Sequence, residues 1–277
     1  MGFKRQFAQT LARIMPHFWK NRVQNPIFII GTARSGTSLL RNLVQTHPQI
    51  ADWSEANVVW DPTGYPSPPH QAPDWVDPHV FNQRWYRDAQ HRLDEIAATF
   101  GVFQTLRRKP YFLNKSPFNT FRIPHILQMF PQAKFIHIVR NGLAVVNSRL
   151  YKNADFIDGM PYRYPDDDTA YDFDTAALAF ARLWRLSVQE VQRQDERYHL
   201  SDQGNIYHTT YETLVSTPDA VLQDVGAFIG IDPTQFTDDL PRIDNRNYKW
   251  RDKLSPQLVA QLVDEMQPTF DDMGYTS

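Results

Sequence analysis

The chain contains no cysteine, which excludes disulfides and thiolate metal sites. It has no run of roughly 18 apolar residues, so no segment reads as a membrane span. The first twenty residues, MGFKRQFAQTLARIMPHFWK, lack the uninterrupted apolar core of a signal peptide. There is no excess of either charge: 29 Lys and Arg stand against 31 Asp and Glu, for a net charge of −2 and a pI near 6.5. That balance disfavours a nucleic-acid binder, which needs a broad basic face. No internal repeat and no low-complexity linker divides the sequence. The expectation from these absences is a soluble, cytoplasmic protein. What is present is 277 residues with 42% apolar content, enough for one large α/β domain over the whole chain, 1–277.

One stretch carries most of the chemistry. PIFII, residues 26–30, is a short apolar run typical of a buried strand, and GTARSGTSLL follows it. Gly31, four residues and Gly36 are spaced as in a P-loop, but Thr37 and Ser38 follow where a nucleotide-triphosphate loop continues with Lys. The basic residue lies inside the loop instead, at Arg34. The spacing of Leu39, Leu40 and Leu43 predicts a helix from Gly36 to Thr46. A strand, a tight turn and a helix present converging backbone N–H groups to an anion. Ser35, Gly36, Thr37 and Ser38 are therefore candidate phosphate ligands.

A second strand-turn-helix pattern lies about 100 residues downstream. KFIHIV is followed by Arg140-Asn141-Gly142 and the helical LAVVNSRL. Arg140 and Ser148 are spaced to clamp a second anion, Arg140 curling back toward the hydroxyl. Two separate anion sites suit a nucleoside with phosphates at both ends. A triphosphate concentrates its charge at one end and brings Mg²⁺, and no acidic strand end stands out to hold that metal.

The rest reads as alternating elements. FRIPHILQMF and DTAALAFARLWRLSVQEVQRQ are helical, the latter with Asp174 as its N-cap. NIYHT is a short strand. TPDAVLQDVGAFIG is a helix opened by proline and closed by Gly230, and SPQLVAQLVDEM is the last helix. Two irregular, aromatic inserts interrupt them, at about 57–88 and 153–174, and regular structure resumes near residue 120. Alternation of this kind predicts a mostly parallel sheet covered by helices on both faces. Residues 1–24 form an amphipathic helix with Phe3, Phe7, Leu11, Ile14 and Phe18 at helical spacing. Either that stripe packs on the chain's own domain, or it touches a lipid surface.

The two motifs in this order resemble those of sulfotransferases that use 3′-phosphoadenosine 5′-phosphosulfate (PAPS). PIFIIGTARSGTSLL resembles the 5′-phosphosulfate loop, and KFIHIVRNGLAVVNSRL the 3′-phosphate motif with its arginine-to-serine spacing of eight. The resemblance runs from about residue 26 to the end, the inserts excepted. It implies a three-layer P-loop-like fold, PAPS as co-substrate, no catalytic metal and a hydroxyl-bearing acceptor. It implies that Arg34 neutralises the leaving phosphate. Lys115 in LNKSPF is implied as a second cation there, although Pro117 stands where the histidine base of the cytosolic small-molecule enzymes would be. The tyrosylprotein and related group is closer: it places a glutamate after a His-Pro segment, here His47-Pro48 and Glu55. Glu55 is thus the implied base, against the alternative of a surface carboxylate. Tyr211 lies where the family has an aromatic near adenine, and a core tyrosine is the competing reading. Arg246, Asn247 and Lys249 resemble a late basic loop over the 3′-phosphate, with Trp250 as packing. His137 reads as a core histidine. His70 and His79 lack metal-ligand spacing, and Asp166, Asp167 and Asp168 read as a solvated loop. The insert aromatics Trp60, Tyr65, Trp75, Trp85, Tyr86, Tyr162 and Tyr164 suit sugars, phenols and lipid tails alike. The competing functions are an ATP-dependent phosphotransferase and a non-catalytic glycan- or peptide-binding relative.

Overall fold

The structure, a computed structural model, describes residues 2–60, 92–151, 162–163, 170–237 and 243–276. Five strands form one parallel sheet: β1 (Pro26–Ile30), β2 (Ile50–Ser54), β3 (Tyr111–Lys115), β4 (Lys134–Val139) and a fifth at Ile206–Thr210. In space the order is β2, β3, β1, β4 and then the strand at 206–210. The chain leaves β1 toward one edge and later returns to β1's other side. Parallel sheets bind ligands at the carboxyl ends of strands at such a reversal.

Every residue of β1 is buried, as a strand covered on both faces requires. Phe28 and Ile30 face one layer, where they meet Phe112 and Phe135 beneath the helix Leu93–Arg107. Ile27 and Ile29 face the other, with Leu113, Ile136 and Ile138 beneath the helices Thr37–Val44 and Pro218–Ile229. A third apolar cluster joins the helices Gly142–Leu150, Phe173–Tyr198 and Pro256–Met266 around Trp184 and Met266. The sheet is therefore α/β, wholly parallel and flanked on both faces.

Several elements differ from the sequence expectation. The helix at 93–107 lies where irregular structure was expected. It is buried nearly all round, Leu93 through Gln104 without a break apart from Asp94 and Glu95, so it shows no one-sided apolar period. β2 and β3 carry Asp52, Asn114 and Lys115 inside the sheet and look polar for strands. The first insert does not begin at residue 57: Asn57–Trp60 is helical, and Val59 and Trp60 belong to the core. Trp60 is thus packing rather than an acceptor-facing ring, and Arg122 sits 4.6 Å over it. The long helix is capped by Asp172, whose carboxylate accepts from Thr175 N–H at 2.7 Å; Asp174 falls in its first turn. A short turn, Thr269–Asp272, follows the helix expected to be last. Residues 65, 70, 75, 79, 85, 86, 164 and 166–168 lie outside the described residues. Tyr162 falls in a two-residue strand paired with Ala170–Tyr171. Among the described residues, no helix is long and apolar enough to cross a membrane.

The N-terminal helix α1 (Gly2–Ile14) does pack on its own chain, but with a different face from the one its pattern suggests. Ala8 and Ala12 are buried against the core, and Leu11 lies at its edge. Phe7 and Ile14 remain exposed.

His137 is a core histidine, as its apolar strand implies. Its Nδ1 lies 3.0 Å from Nδ1 of His208. Burial, and then the neighbouring His208, lower its pKa to about 3. Burial, and then Arg122, lower that of His125 to about 4. Between the ordinary histidine value and these depressed values, the unfolded chain takes up protons that the folded chain refuses. Stability should therefore be fullest above pH ~6.5 and decline as pH falls toward 4. Thermal melting between pH 8 and 5 checks this: His137→Asn should flatten the acid limb of the profile relative to the parent chain.

Candidate functional site

The loop after β1 turns back so tightly that no side chain fits at its start. Gly31 has φ of +140°, and a Cβ there would lie 2.3 Å from the carbonyl oxygen of Ile138. Its N–H donates to Thr120 Oγ1 at 3.0 Å. Gly36 ends the loop as N-cap of the helix Thr37–Val44. A Cβ at Gly36 would meet the Tyr211 ring at 2.7 Å, so Tyr211 props the loop from below. The helix N-terminus leaves its first N–H groups pointing into the space above the turn.

That space is a cleft of about 510 Å³, within the range of nucleotide-sized sites. Five cations line it: Arg34, Arg140, Arg246, Lys249 and Lys253. Gly36, Thr37, Ser38, Ser148 and Tyr211 line it as well. The two motifs thus converge on one cavity. Ser35 does not: its side chain is buried, its N–H donates to Thr32 O at 3.1 Å, and its hydroxyl has no partner among the described residues.

The pairing of cations with hydroxyls departs from the expected one. Arg34 Nε, not Arg140, donates to Ser148 Oγ, at 3.0 Å. Arg140 Nη1 donates to the Arg34 carbonyl at 3.1 Å and its Nε to Asn247 Oδ1 at 2.7 Å. The Arg140 guanidinium lies 4.2 Å over the Tyr211 ring. Tyr211 is buried, and its hydroxyl donates to Asp244 O at 3.2 Å. It is at once a core residue and a wall of the cleft. Burial lowers the pKa of Arg140, and Tyr211 and Glu212 oppose the shift. Burial and then Arg246 lower that of Arg34. These cations lie close together with few matching carboxylates, so an anion in the cleft would relieve their mutual repulsion.

Glu212 anchors this arrangement from behind. Its Oε1 accepts from the Asn141 N–H at 3.1 Å and also from Asn247 Nδ2, and its Oε2 accepts from the Tyr275 hydroxyl at 3.2 Å. Burial and the Glu212 charge raise the pKa of Tyr275. Trp184 Nε1 donates to the Arg140 carbonyl at 2.9 Å.

On the far side of the loop, Lys115 ends β3 with only 2% exposure. Its Nζ donates to Glu55 Oε1 at 2.5 Å and to Ser38 Oγ at 3.0 Å. Parallel pairing sets Lys115 beside Ile29 of β1 and Ser54 of β2, and the Glu55 N–H donates to the Lys115 carbonyl at 2.7 Å. The Glu55 side chain is half exposed. Glu55 has φ of +47° and Arg34 of +78°, conformations unusual for residues with a Cβ. Of the other non-glycine residues with positive φ, Arg108 and His199 simply cap helices. Arg34 and Glu55 have no such explanation, and strain of this kind collects at functional positions.

Sequence reasoning missed four residues here. Asn147 lines the cleft with its Oδ1 buried and without a partner among the described residues. Its position one residue before Ser148 was the available signal. Tyr151 and Lys253 stand together at the cleft, the ammonium 4.0 Å over the ring. Glu212 follows Tyr211 directly, and nothing in its pattern points to Arg140. Among the described residues, no group of three His, Asp or Glu side chains is arranged to hold a metal.

Comparison with known proteins agrees with these two motifs. The pattern of the sulfotransferase family matches residues 26–236. Protein-tyrosine sulfotransferase A of Caenorhabditis elegans is 24% identical over 228 residues, covering 76% of this chain and 51% of that protein. The omega-hydroxy-beta-dihydromenaquinone-9 sulfotransferase Stf3 of Mycobacterium tuberculosis is 26% identical over 304 residues, covering 87% and 72%. The chain thus spans about half the length of the first of these relatives. The structure of mouse sulfotransferase SULT7A1 complexed with PAP superimposes with a TM-score of 0.51 at 15% identity, over 94% of this chain and 90% of that one.

The Glu212 network predicts a stability difference. Glu212→Leu should lower the unfolding free energy by roughly 2–4 kcal/mol, because it strands several donors and removes a carboxylate facing a buried arginine. Tyr275→Phe deletes one hydrogen bond to that carboxylate and should cost less, about 1.5–3 kcal/mol, because the other donors to Glu212 remain. Urea unfolding of the two variants checks the ordering.

Proposed function

Because the chain belongs to the sulfotransferase family, we propose that it transfers the sulfuryl group of PAPS to an acceptor hydroxyl. The observation that carries this reading is the position of Lys115, whose ammonium bridges Glu55 and Ser38 at the start of the helix after the loop. One cation thereby links a potential base to the point where the bridging oxygen of a phosphosulfate would lie. The co-substrate fits the residues present. A basic cleft accepts a nucleoside phosphorylated at both ends, and the PAP-bound relative supports that choice.

The steps follow from these positions. The N–H groups of the loop and the hydroxyls of Thr37 and Ser38 hold the 5′-phosphosulfate. Arg140, Arg246 and Lys249 face the 3′-phosphate, with Arg140 oriented by Asn247. Glu55 takes the proton of the acceptor hydroxyl as its oxygen forms a bond to sulfur. The opposite sulfur–oxygen bond breaks, and its electron pair goes to the bridging oxygen of the 5′-phosphate. Lys115 and Arg34 stabilise that charge. Lys115 is ion-paired with Glu55. A phosphosulfate in the loop competes for the ammonium and frees the carboxylate, so donor binding prepares the base. The acceptor is a hydroxyl compound, as the names of the tyrosine- and menaquinone-directed relatives indicate for those proteins.

Glu55→Gln keeps the side chain's shape but cannot accept the proton. Turnover should fall by roughly 10²–10⁴-fold, while calorimetry should give nearly the parent affinity for PAP. The deficit should be smaller for phenolic acceptors, which lose their proton with less help. Parent-level turnover of an alkyl hydroxyl would remove Glu55 from the role of base. Arg140→Ala should weaken PAP binding, measured without metal, by about 1.5–3 kcal/mol. The loss should shrink for adenosine 5′-phosphosulfate, which lacks the 3′-phosphate, and ATP should bind the parent chain far more weakly than PAP. Equal losses for both ligands would displace the 3′-phosphate from Arg140.

A further inference from the structure

We propose that the N-terminal segment, α1 with the short helix α2 (Pro16–Trp19), docks this protein on an anionic lipid surface. Among the described residues, six large apolar side chains are exposed, and four of them fall within residues 7–18. They are Phe7 at 42%, Ile14 at 69%, Met15 at 49% and Phe18 at 49%. Phe7 and Ile14 are seven residues apart, two helical turns, and so project from one side of α1. The opposite side is fixed. Ala8 and Ala12 are fully buried, Arg13 Nε donates to Glu95 at 3.1 Å, Lys20 Nζ donates to Asp94 at 2.8 Å, and the Arg5 guanidinium lies 5.6 Å over Trp53. The exposed side chains are therefore held outward by a fastened helix rather than left on a loose end.

Charge selects the occupant. The first carboxylate of the chain is Asp52, so residues 1–51 contribute no negative charge. Lys4, Arg5, Arg13, Lys20 and Arg22 are the cations up to residue 22. Asp94 and Glu95 reach Lys20 and Arg13, and Arg5 turns inward over Trp53, so among the described side chains Arg22 is the cation on the exposed side, with no carboxylate of residues 1–51 to offset it. Arg22 is exposed and lies 4.8 Å over the Phe18 ring, so cation and apolar group share one surface. Bulky apolar groups beside an exposed arginine that has no ion pair among the described residues, on a segment without carboxylates, suit the boundary between anionic headgroups and acyl chains. A protein partner of the same shape would need acidic residues around an apolar groove; a bilayer of anionic lipid supplies both features without a matching shape. The inference stands apart from the donor site, since none of these residues lines the cleft.

Flotation with sonicated vesicles tests it, using the whole chain. Vesicles of phosphatidylcholine with about one quarter phosphatidylserine should carry the protein, and pure phosphatidylcholine should carry much less. Binding should weaken with added salt. The triple variant Ile14→Ser, Met15→Ser, Phe18→Ser should reduce the vesicle-bound fraction at least about tenfold. Arg22→Glu should reduce binding to anionic vesicles and leave the residual binding to neutral ones unchanged. PAP affinity and melting temperature, measured on both variants, should match the parent and so separate a docking defect from misfolding or a lost donor site. The proposal is overturned if the parent chain does not float with anionic vesicles. It is equally overturned if the triple variant floats as well as the parent, or if sedimentation shows that the variant disrupts a dimer while vesicle binding is unaffected.

Discussion

A lysine ammonium sealed at the end of a parallel sheet is the constraint on which this site depends. Lys115 is almost without solvent, and an isolated charge there would be costly. It is tolerated because Glu55 and the Ser38 hydroxyl both reach it. Those partners come from different crossovers, one after β2 and the other at the start of the helix that follows β1. They meet only because β3 lies between β2 and β1 in the sheet. The strand order therefore supplies the proximity that the proposed chemistry requires.

The cleft on the other side of the loop obeys a similar economy. Five cations converge there, and burial disfavours the charge on Arg34 and Arg140. The Tyr211 ring beneath Arg140 and the carboxylate of Glu212 behind it offset part of that cost. The arrangement is thus preorganised for a ligand with separated negative charges. Its hydrogen bonds differ from the expected ones. Ser148 serves Arg34, while Arg140 is held by Asn247 and the loop carbonyl. The same residues take part, but Arg34, whose backbone has a positive φ, takes the hydroxyl that Arg140 was expected to take.

The N-terminal helix shows how an amphipathic pattern can mislead about direction. Its spacing announces one helix over residues 1–24, but two short ones form, Gly2–Ile14 and Pro16–Trp19, because Pro16 cannot continue the first. The chain nevertheless buries the small side chains Ala8 and Ala12, which allow close approach to the helix Leu93–Arg107, and leaves the larger ones outside. Ion pairs at Arg13 and Lys20 then fix that choice.

By itself the sequence determined the two strand-turn-helix motifs, the alternating architecture and most of the cleft's residues. Glycine spacing, apolar runs and cation positions are local signals, and they need no knowledge of the partner segment. Caps were legible for the same reason, to within a residue or two, as Gly230 and the shift from Asp174 to Asp172 illustrate. Tertiary structure alone decided that IADWS and YFLNK are strands, because their polar residues are stabilised by neighbours rather than by pattern: Asp52 by Arg41, Asn114 by Asn119 and Lys115 by Glu55. It decided that a helix occupies residues 93–107, buried all round from Ile96 to Gln104, where no period could show. It also decided which arginine meets which hydroxyl, since that depends on contacts between residues more than 100 positions apart.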